Sequence, residues 1–169
     1  MINIHGSIIG YRNDSANLGD QYNLLAVQKG GEYVLTLGDG TRVWMNADSR
    51  LKYPVCFNDT LREVFLEGEA YFDVKKDPEY PFTVHTSRGD VQVLGTGFNI
   101  RDYRGEARVV TTLVEGKVVY KASERHEAVI ILPGYQLIDN GYEELAPQEV
   151  DVEMYVGWKD GRYIFEDAT

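Results

Sequence analysis

Apolar and polar residues alternate with a period of two over most of this chain, the pattern of a β-strand that buries one face. Tyr33, Leu35 and Leu37 alternate with Val34 and Thr36, and a Gly-Asp-Gly turn follows at 38–40. Other short runs, rich in β-branched and aromatic residues, are bounded by Gly, Asp or Pro. They predict strands at 42–45, 62–66, 69–74, 82–86, 90–94, 98–103, 108–114, 117–121, 129–132 and 135–138.

Helical periodicity is almost absent. Leu18, Tyr22, Leu25 and Ala26 fall at helical spacing, but Gly19 interrupts them and no helix is predicted there. The expected fold is therefore all-β, a twisted solenoid-like or sandwich-like stack of short antiparallel strands with little or no helix.

Three segments share the order apolar, acidic, glycine, polar, apolar. They lie at 37–43, 66–71 and 114–119, and each is predicted to form a strand, a tight turn and a second strand. Their irregular spacing defines no repeat period, so a solenoid-like stack of hairpins and a plain sandwich both stay open.

Composition narrows the function classes. The 169 residues carry 17 basic and 27 acidic side chains, a net charge of −10, which disfavours nucleic acid as a partner. No apolar run approaches the roughly 18 residues of a membrane span, and the N-terminus does not resemble a signal peptide. Cys56 is the only cysteine, so it forms no internal disulfide and leaves the compartment open. We expect it to be a small buried apolar residue rather than a nucleophile.

Gly95 and Gly97 stand in an otherwise strand-like run. A dinucleotide-binding loop needs a third glycine and a following helix, whereas Phe-Asn-Ile-Arg follows here. A phosphate-binding loop needs Gly-Lys-Ser/Thr, which is missing. We expect the two glycines to form a turn or bulge, or to permit a close backbone approach.

No metal or catalytic constellation emerges. The pair Glu67 and Glu69 could serve a glycosidase, but Gly68 between them indicates a hairpin turn instead. Histidines and loop aspartates lack metal-ligand spacing and are expected to be surface or strand histidines and turn-capping aspartates. These are His5, His85, His126, Asp39, Asp48 and Asp59. We therefore predict no enzyme, and assign no catalytic, cofactor-binding or metal-binding residue.

Aromatic residues support one alternative function. A sugar-stacking face would make the protein a carbohydrate- or small-ligand-binding β module, although most of these rings are expected in the core. The candidates are Trp44, Tyr53, Phe57, Tyr71, Phe72, Tyr80 and Phe82. Quenching of Trp44 or Trp158 fluorescence by glycans would test it.

Ordered motifs resemble a known family. They are Leu-x-Asp-Gly-Thr-Arg-Val-Trp-Met-Asn at 37–46, Ser-x-Leu-x-Tyr-Pro at 49–54, Val-x-Leu-Glu-Gly-Glu-Ala-Tyr-Phe-Asp-Val at 64–74, Pro-Phe-Thr-Val-His-Thr at 81–86, Val-x-Val-Leu-Gly-Thr-Gly-Phe-Asn-Ile at 91–100, Thr-Leu-Val-Glu-Gly-Lys-Val-Val at 112–119 and Pro-Gly at 133–134. This set closely resembles the periplasmic region of FecR-type anti-sigma regulators of the form common in Bacteroidetes.

The resemblance implies a domain organisation and a compartment. Residues 1–28 would be a lead-in segment, 29–150 the FecR-like β domain, and 151–169 the start of a truncated C-terminal small domain. Family members have a cytoplasmic anti-sigma segment and one transmembrane helix before this region. The chain is thus expected to be the periplasmic part of a single-pass inner-membrane protein.

The resemblance also implies partners and no cofactor. The periplasmic signalling domain of a TonB-dependent outer-membrane receptor would contact this region. An extracytoplasmic-function sigma factor would bind the absent cytoplasmic segment. The family pattern carries over no contact residues, so the partner-binding residues are unknown at this point.

Overall fold

The computed structural model describes residues 6–11 (backbone only), 21–57, 61–125 and 127–161. These residues form a 14-stranded sheet that curls on itself, which confirms the all-β expectation. The strands are β1 Gly6–Tyr11, β2 Tyr22–Val27, β3 Tyr33–Thr36, β4 Arg42–Met45, β5 Ser49–Pro54, β6 Arg62–Asp73, β7 Phe82–His85, β8 Gly89–Val93, β9 Gly97–Asp102, β10 Val109–Glu115, β11 Val118–Ala122, β12 Glu127–Ile131, β13 Tyr135–Asp139 and β14 Gln148–Glu149. A short helix, α1 Glu153–Val156, leads into a 3-10 turn, Gly157–Asp160.

The long strand β6 divides the sheet into two halves. Half A has the order β1-β2-β5-β6-β7-β8-β11-β12, and half B has the order β3-β4-β6-β9-β10-β13-β14. Neighbouring strands are antiparallel except for β6 and β7, which are parallel. β6 pairs with half A through residues 62–67 and with half B through residues 68–73.

One hydrophobic core lies between the inner faces of the two halves. Phe82 of half A lies 6.2 Å from Phe72 of half B, measured between ring centroids, and Phe72 stacks on Phe98 at 5.1 Å. All three rings are fully buried, as are Leu51 and Ile100. Removal of this apolar surface from water is the main favourable term in the stability of such a fold.

Gly68 does not turn the chain, so the hairpin predicted at Glu67–Gly68 is wrong. The strand continues through Gly68, whose φ of +99° bends β6 from one half of the sheet into the other. Gly116, with a φ of +92°, likewise lies where the chain leaves β10 in half B and enters β11 in half A. Of the three similar segments, only 37–43 is a hairpin, between β3 and β4.

Other local expectations have mixed outcomes. A Cβ atom on Gly95 would lie 2.6 Å from the Cα of Lys76, which confirms a close backbone approach at that glycine. Cys56 is exposed, so the expectation that it is buried is wrong, because it lies beyond the end of β5 at Pro54. Strands β2 and β5 were not predicted from the alternation, although β5 follows it closely.

Candidate interaction surfaces

The outer face of half B carries a row of buried residues. Tyr71, Asn99, Thr112 and Gln136 occupy directly paired positions on β6, β9, β10 and β13. All four are buried although they point away from the main core. A separate cluster, in which Val156 and Trp158 pack with Tyr71, lies on this face, and Trp158 also contacts Asn99. The C-terminal segment 151–161 therefore covers the part of half B around Tyr71 and Asn99.

Trp158 ends a chain of hydrogen bonds on this covered face. Its indole Nε1 donates to Asn99 Oδ1 at 3.0 Å, and Asn99 Nδ2 donates to Glu69 Oε2 at 3.0 Å. Asn46 Nδ2 donates to the other carboxylate oxygen of Glu69 at 2.9 Å. Because the indole can only donate, it fixes the orientation of the Asn99 amide, whose NH2 group must then face Glu69.

Glu69 is a buried carboxylate in this network. Burial raises its pKa, while the hydrogen bonds from Asn99 and Asn46 and the charge of Arg101 act in the opposite direction. The nearest guanidinium nitrogen of Arg101 is 3.6 Å from Glu69 Oε1. The donors of the covered face and the charge of Arg101 thus oppose the rise in the pKa of Glu69 that burial causes.

Contacts between a lysine of the covering segment and two aromatic rings of the sheet also hold this segment in place. The ammonium of Lys159 lies 4.8 Å from the ring centroid of Tyr71 and 5.5 Å from that of Trp44. These two rings meet edge to face at 5.7 Å. Burial and nearby carboxylates raise the pKa of Tyr71 to about 12, so its hydroxyl stays protonated at neutral pH. A cation over neutral aromatic faces is a favourable contact.

The outer face of half A is open and carries aromatic and aliphatic side chains. Phe65 is 41% exposed and stacks on His85, with 4.7 Å between ring centroids. The ammonium of Lys52 lies over the rings of Tyr22 and Phe65, at 4.9 Å and 5.4 Å. A shallow groove of about 360 Å³ runs beside these residues.

His85 is the strand histidine that the sequence predicts. Its Nδ1 lies 2.7 Å from Asp90 Oδ1, and its Nε2 lies 3.1 Å from Glu63 Oε1. The described part of the chain contains no cluster of three or more His, Cys, Asp or Glu residues that could hold a metal. Asp39 caps its turn by accepting from Thr41 N, as expected. His5, His126 and Asp59 lie outside the described residues.

Charged residues line a cleft of about 370 Å³ at the junction of the two halves. Asp102 accepts from both the backbone N and the Oγ of Ser87, at 2.7 Å each. Tyr120 donates across the junction to Asp139 at 2.8 Å, and burial raises its pKa. Arg125 pairs with the same Asp139. These partners within the chain satisfy the buried charged groups, so the residues of the cleft serve to hold the two halves together.

Neither the glutamate pair nor the aromatic residues weighed in the sequence form a site among the described residues. Glu67 lies exposed on half A and pairs with Arg104, whereas Glu69 is buried on half B, so Gly68 separates the two carboxylates. Of the aromatic candidates, four are buried and unavailable for sugar stacking: Tyr53, Tyr71, Phe72 and Phe82. Trp44 is packed against Tyr71 and Lys159.

The comparisons with known proteins decide the family. The FecR protein family pattern matches residues 23–119. The chain belongs to the FecR family. Members of the FecR family are regulatory, membrane-anchored sensors with a periplasmic part. No helix among the described residues has the length and apolar character that a membrane crossing requires. Comparison with curated protein sequences gives no significant match.

Solved structures agree with the family. Two crystal structures of a protein assigned as an anti-sigma factor, from Parabacteroides distasonis, are similar to this FecR chain. The first is 33% identical with a TM-score of 0.78, and the match covers 83% of this chain and 65% of that one. The second is 34% identical with a TM-score of 0.76, covering 82% and 65%. The chain thus spans about two-thirds of the length of these relatives.

The covered face was not predicted from the sequence. A signal for it is nevertheless present. Glu69 and Asn99 stand in the otherwise apolar or aromatic runs Glu-Ala-Tyr-Phe and Gly-Phe-Asn-Ile. A polar residue within an apolar run of a strand is expected to be buried, and a buried polar group requires a hydrogen-bonding neighbour. That neighbour, Trp158, lies 59 residues beyond Asn99, so no local pattern identifies it.

Proposed function

We propose that this FecR domain is the periplasmic signal-receiving part of an anti-sigma regulator. In this proposal, it contacts the periplasmic signalling domain of a TonB-dependent outer-membrane receptor. That contact changes how the regulator controls an extracytoplasmic-function sigma factor, which binds a cytoplasmic segment. Residues 29–150 form the signal-receiving β domain, and residues 151–169 begin a further small domain.

The family match over residues 23–119 carries this proposal. The similarity to an anti-sigma factor structure over more than four-fifths of the chain supports it. The surface described above is consistent with a protein-binding role, because its open face combines exposed apolar side chains with charged neighbours. A regulator of this kind works by differential binding of a partner to two states.

Titration calorimetry tests the proposal. The receptor's periplasmic signalling domain is titrated into this chain and into a version extended to the length of the solved relatives. We expect heat of binding with at least one of them and none with the signalling domain of a receptor from an unrelated system. If both versions stay silent while circular dichroism shows a folded β-rich protein, the receptor contact is refuted.

A further inference from the structure

Strand β12 is an edge of the sheet. It pairs with β11, and among the described residues no strand pairs with its other side. Its outer face presents Ile130, which is 52% exposed, and the following Leu132 is 54% exposed. An edge strand with free backbone groups and exposed aliphatic side chains is a template for the addition of another strand.

The apolar surface continues inward from this edge. Val119 on β11 is directly opposite Ile130, and Leu94, just after β8, is 47% exposed. Leu94 and Val119 help to line a groove of about 420 Å³, together with the backbone at Gly95 and Gly116. A Cβ on Gly116 would lie 2.8 Å from the carbonyl oxygen of Gly95, so these glycines keep the floor of the groove closely packed.

Two lysines lie beside the edge although the chain as a whole carries −10. Lys121 is exposed on β11, and Lys117 is exposed directly before that strand. Neither lysine forms an ion pair within the part of the chain that the structure describes. Lys121 lies directly opposite Ala128 on β12. Because Ala128 is small, the long lysine side chain can extend over it toward a strand added at the edge.

Asp90 lies on the other side of Lys121, in the paired position on β8. Its carboxylate lies 2.7 Å from the Nδ1 of His85. Asp90 thus has a hydrogen-bond partner in His85, and the three donors of the Lys121 ammonium leave room for a second acidic group. An added strand would run about 4.8 Å from β12, within reach of a lysine that extends over Ala128.

We propose that the free edge of β12, with the patch Leu94, Val119, Ile130 and Leu132, docks an extended strand of the partner protein. That strand carries apolar residues opposite Ile130 and Leu132 and an acidic residue in the row of Ala128 and Lys121. The assignment deepens the proposed function: it rests on that function for the identity of the partner and on the β12 surface for its chemistry.

A second copy of the chain fits this edge less well. Two copies that each carry −10 repel one another, whereas an acidic strand segment is attracted locally by Lys117 and Lys121. Two other described edges are also weaker candidates. β14 has only two residues, and β3 presents Val34 with a smaller exposed fraction, 37%.

Two variants test the surface with the receptor's signalling domain as the probe. Ile130→Thr/Leu132→Thr removes the apolar contacts but keeps residues that β-strands accept. We expect its Kd to rise at least about tenfold, since the loss of two buried aliphatic contacts exceeds 1.4 kcal/mol. Val34→Thr, on the edge strand β3, is the matched control and should bind like the unmodified chain.

The charge contribution has its own variant. Lys117→Glu/Lys121→Glu should bind the signalling domain more weakly than the unmodified chain does, and the difference should grow as the salt concentration is lowered. Lys29→Glu, at an exposed lysine elsewhere, should not show this effect. Equal binding by the unmodified chain and Ile130→Thr/Leu132→Thr would overturn this inference and leave the proposed function standing. A dimer that light scattering detects, and that this double variant abolishes, would assign the edge to a second copy and also overturn it.

A peptide probe separates the two proposals if the receptor domain does not bind. The probe is acetyl-Val-Thr-Ile-Thr-Glu-Thr-amide, and its control has lysine in place of glutamate. Shifts of the β11 and β12 amide signals in a two-dimensional NMR titration, larger for the glutamate peptide, would support the docking edge while the receptor contact fails. Absence of shifts at millimolar peptide, or equal shifts with both peptides, would overturn the docking edge.

Discussion

The two outer faces of this FecR domain have opposite characters. On half B, Asn99 is buried beneath Trp158 of the C-terminal segment. On half A, Phe65, Ile130 and Leu132 are exposed to water. Polar side chains are thus buried on one face, while large apolar side chains stay exposed on the other. Polarity alone does not decide burial in a two-faced sheet, because burial follows from which segment packs where.

The difference has an energetic consequence for each face. Covering polar groups is favourable only if their hydrogen bonds are replaced, and the Trp158–Asn99–Glu69 chain supplies that replacement. Leaving large apolar side chains in water wastes their hydrophobic free energy unless a partner covers them later. Half B is therefore stabilised by contacts within the chain, and half A is the face that we propose contacts another protein.

Gly68→Ala should have the largest effect, because Gly68 joins the two faces. Its φ is +99°, and a Cβ there would lie 2.3 Å from Ser49 Oγ and 2.7 Å from Ser49 Cα. We expect the free energy of unfolding to fall by about 3 kcal/mol or more, from backbone strain and overlap combined. Urea denaturation followed by circular dichroism measures it.

Gly38→Ala is the matched control for this change. Gly38 lacks a left-handed φ, and nothing lies within 4 Å of a Cβ placed there. Both substitutions reduce the entropy of the unfolded chain equally, so their difference reports the folded state. Similar unfolding midpoints for Gly68→Ala and Gly38→Ala would show that the joint between the halves is not constrained.

Trp158→Ala should have the next largest effect, by uncovering half B. Trp158 is 8% exposed and its loss removes packing on Tyr71 as well as the hydrogen bond to Asn99. We expect a loss of about 3 kcal/mol, the lower part of the range for a buried tryptophan, measured by urea denaturation. Hydrogen exchange of the β9 and β10 amides should also become faster.

Phe65→Ala is the comparison on the open face. Phe65 is 41% exposed, so its truncation should cost only about 1 kcal/mol. Trp158→Ala and Phe65→Ala could instead lower the free energy of unfolding by the same amount. The covering segment would then stabilise half B no more than the exposed side chains stabilise half A, and the contrast between the two faces would be wrong.

The sequence predicts the class of this fold well because strand alternation is local. Segments such as Tyr33–Thr36 and Arg42–Met45 match the observed strands, and the Gly-Asp-Gly turn between them is where it was expected. The ordered motifs identify the FecR family for the same reason, since each motif is a contiguous stretch of residues.

Contacts between distant segments could not be predicted in this way. Glu67-Gly68 has the composition of a tight turn, and only the packing of Ser49 against Gly68 shows that the strand continues. Glu115-Gly116 has the same composition and moves the chain between the halves. The chain from Glu69 to Trp158 and the exposure of Ile130 depend on tertiary packing, which alternation does not encode.

Glu69→Gln should change how stability depends on pH, an effect smaller than either truncation. Burial raises the pKa of Glu69, so the folded state binds this proton more tightly than the unfolded chain does. Its contribution to stability is present at acidic pH and is lost as the pH rises through the folded-state pKa. From about pH 4 to about pH 7, the unmodified chain should lose stability relative to Glu69→Gln.

Urea denaturation of both proteins across that range measures the effect, with Glu67→Gln as the control from the exposed side of Gly68. The slopes of stability against pH for the unmodified chain and Glu67→Gln should agree more closely than either agrees with Glu69→Gln. Parallel curves for Glu69→Gln and the unmodified chain would mean that the covered face does not bury this carboxylate.

Ile130→Thr should have the smallest effect on stability and so sharpens the comparison from the open side. Ile130 is more than half exposed, and threonine suits a strand as well as isoleucine does. We expect the free energy of unfolding to change by less than about 0.5 kcal/mol, measured by urea denaturation. A buried isoleucine of half B's core, Ile100, supplies the matched control, since Ile100→Thr should cost several times more. A large loss for Ile130→Thr would show that the β12 edge is needed for folding, and its exposed apolar side chains would then no longer point to a partner.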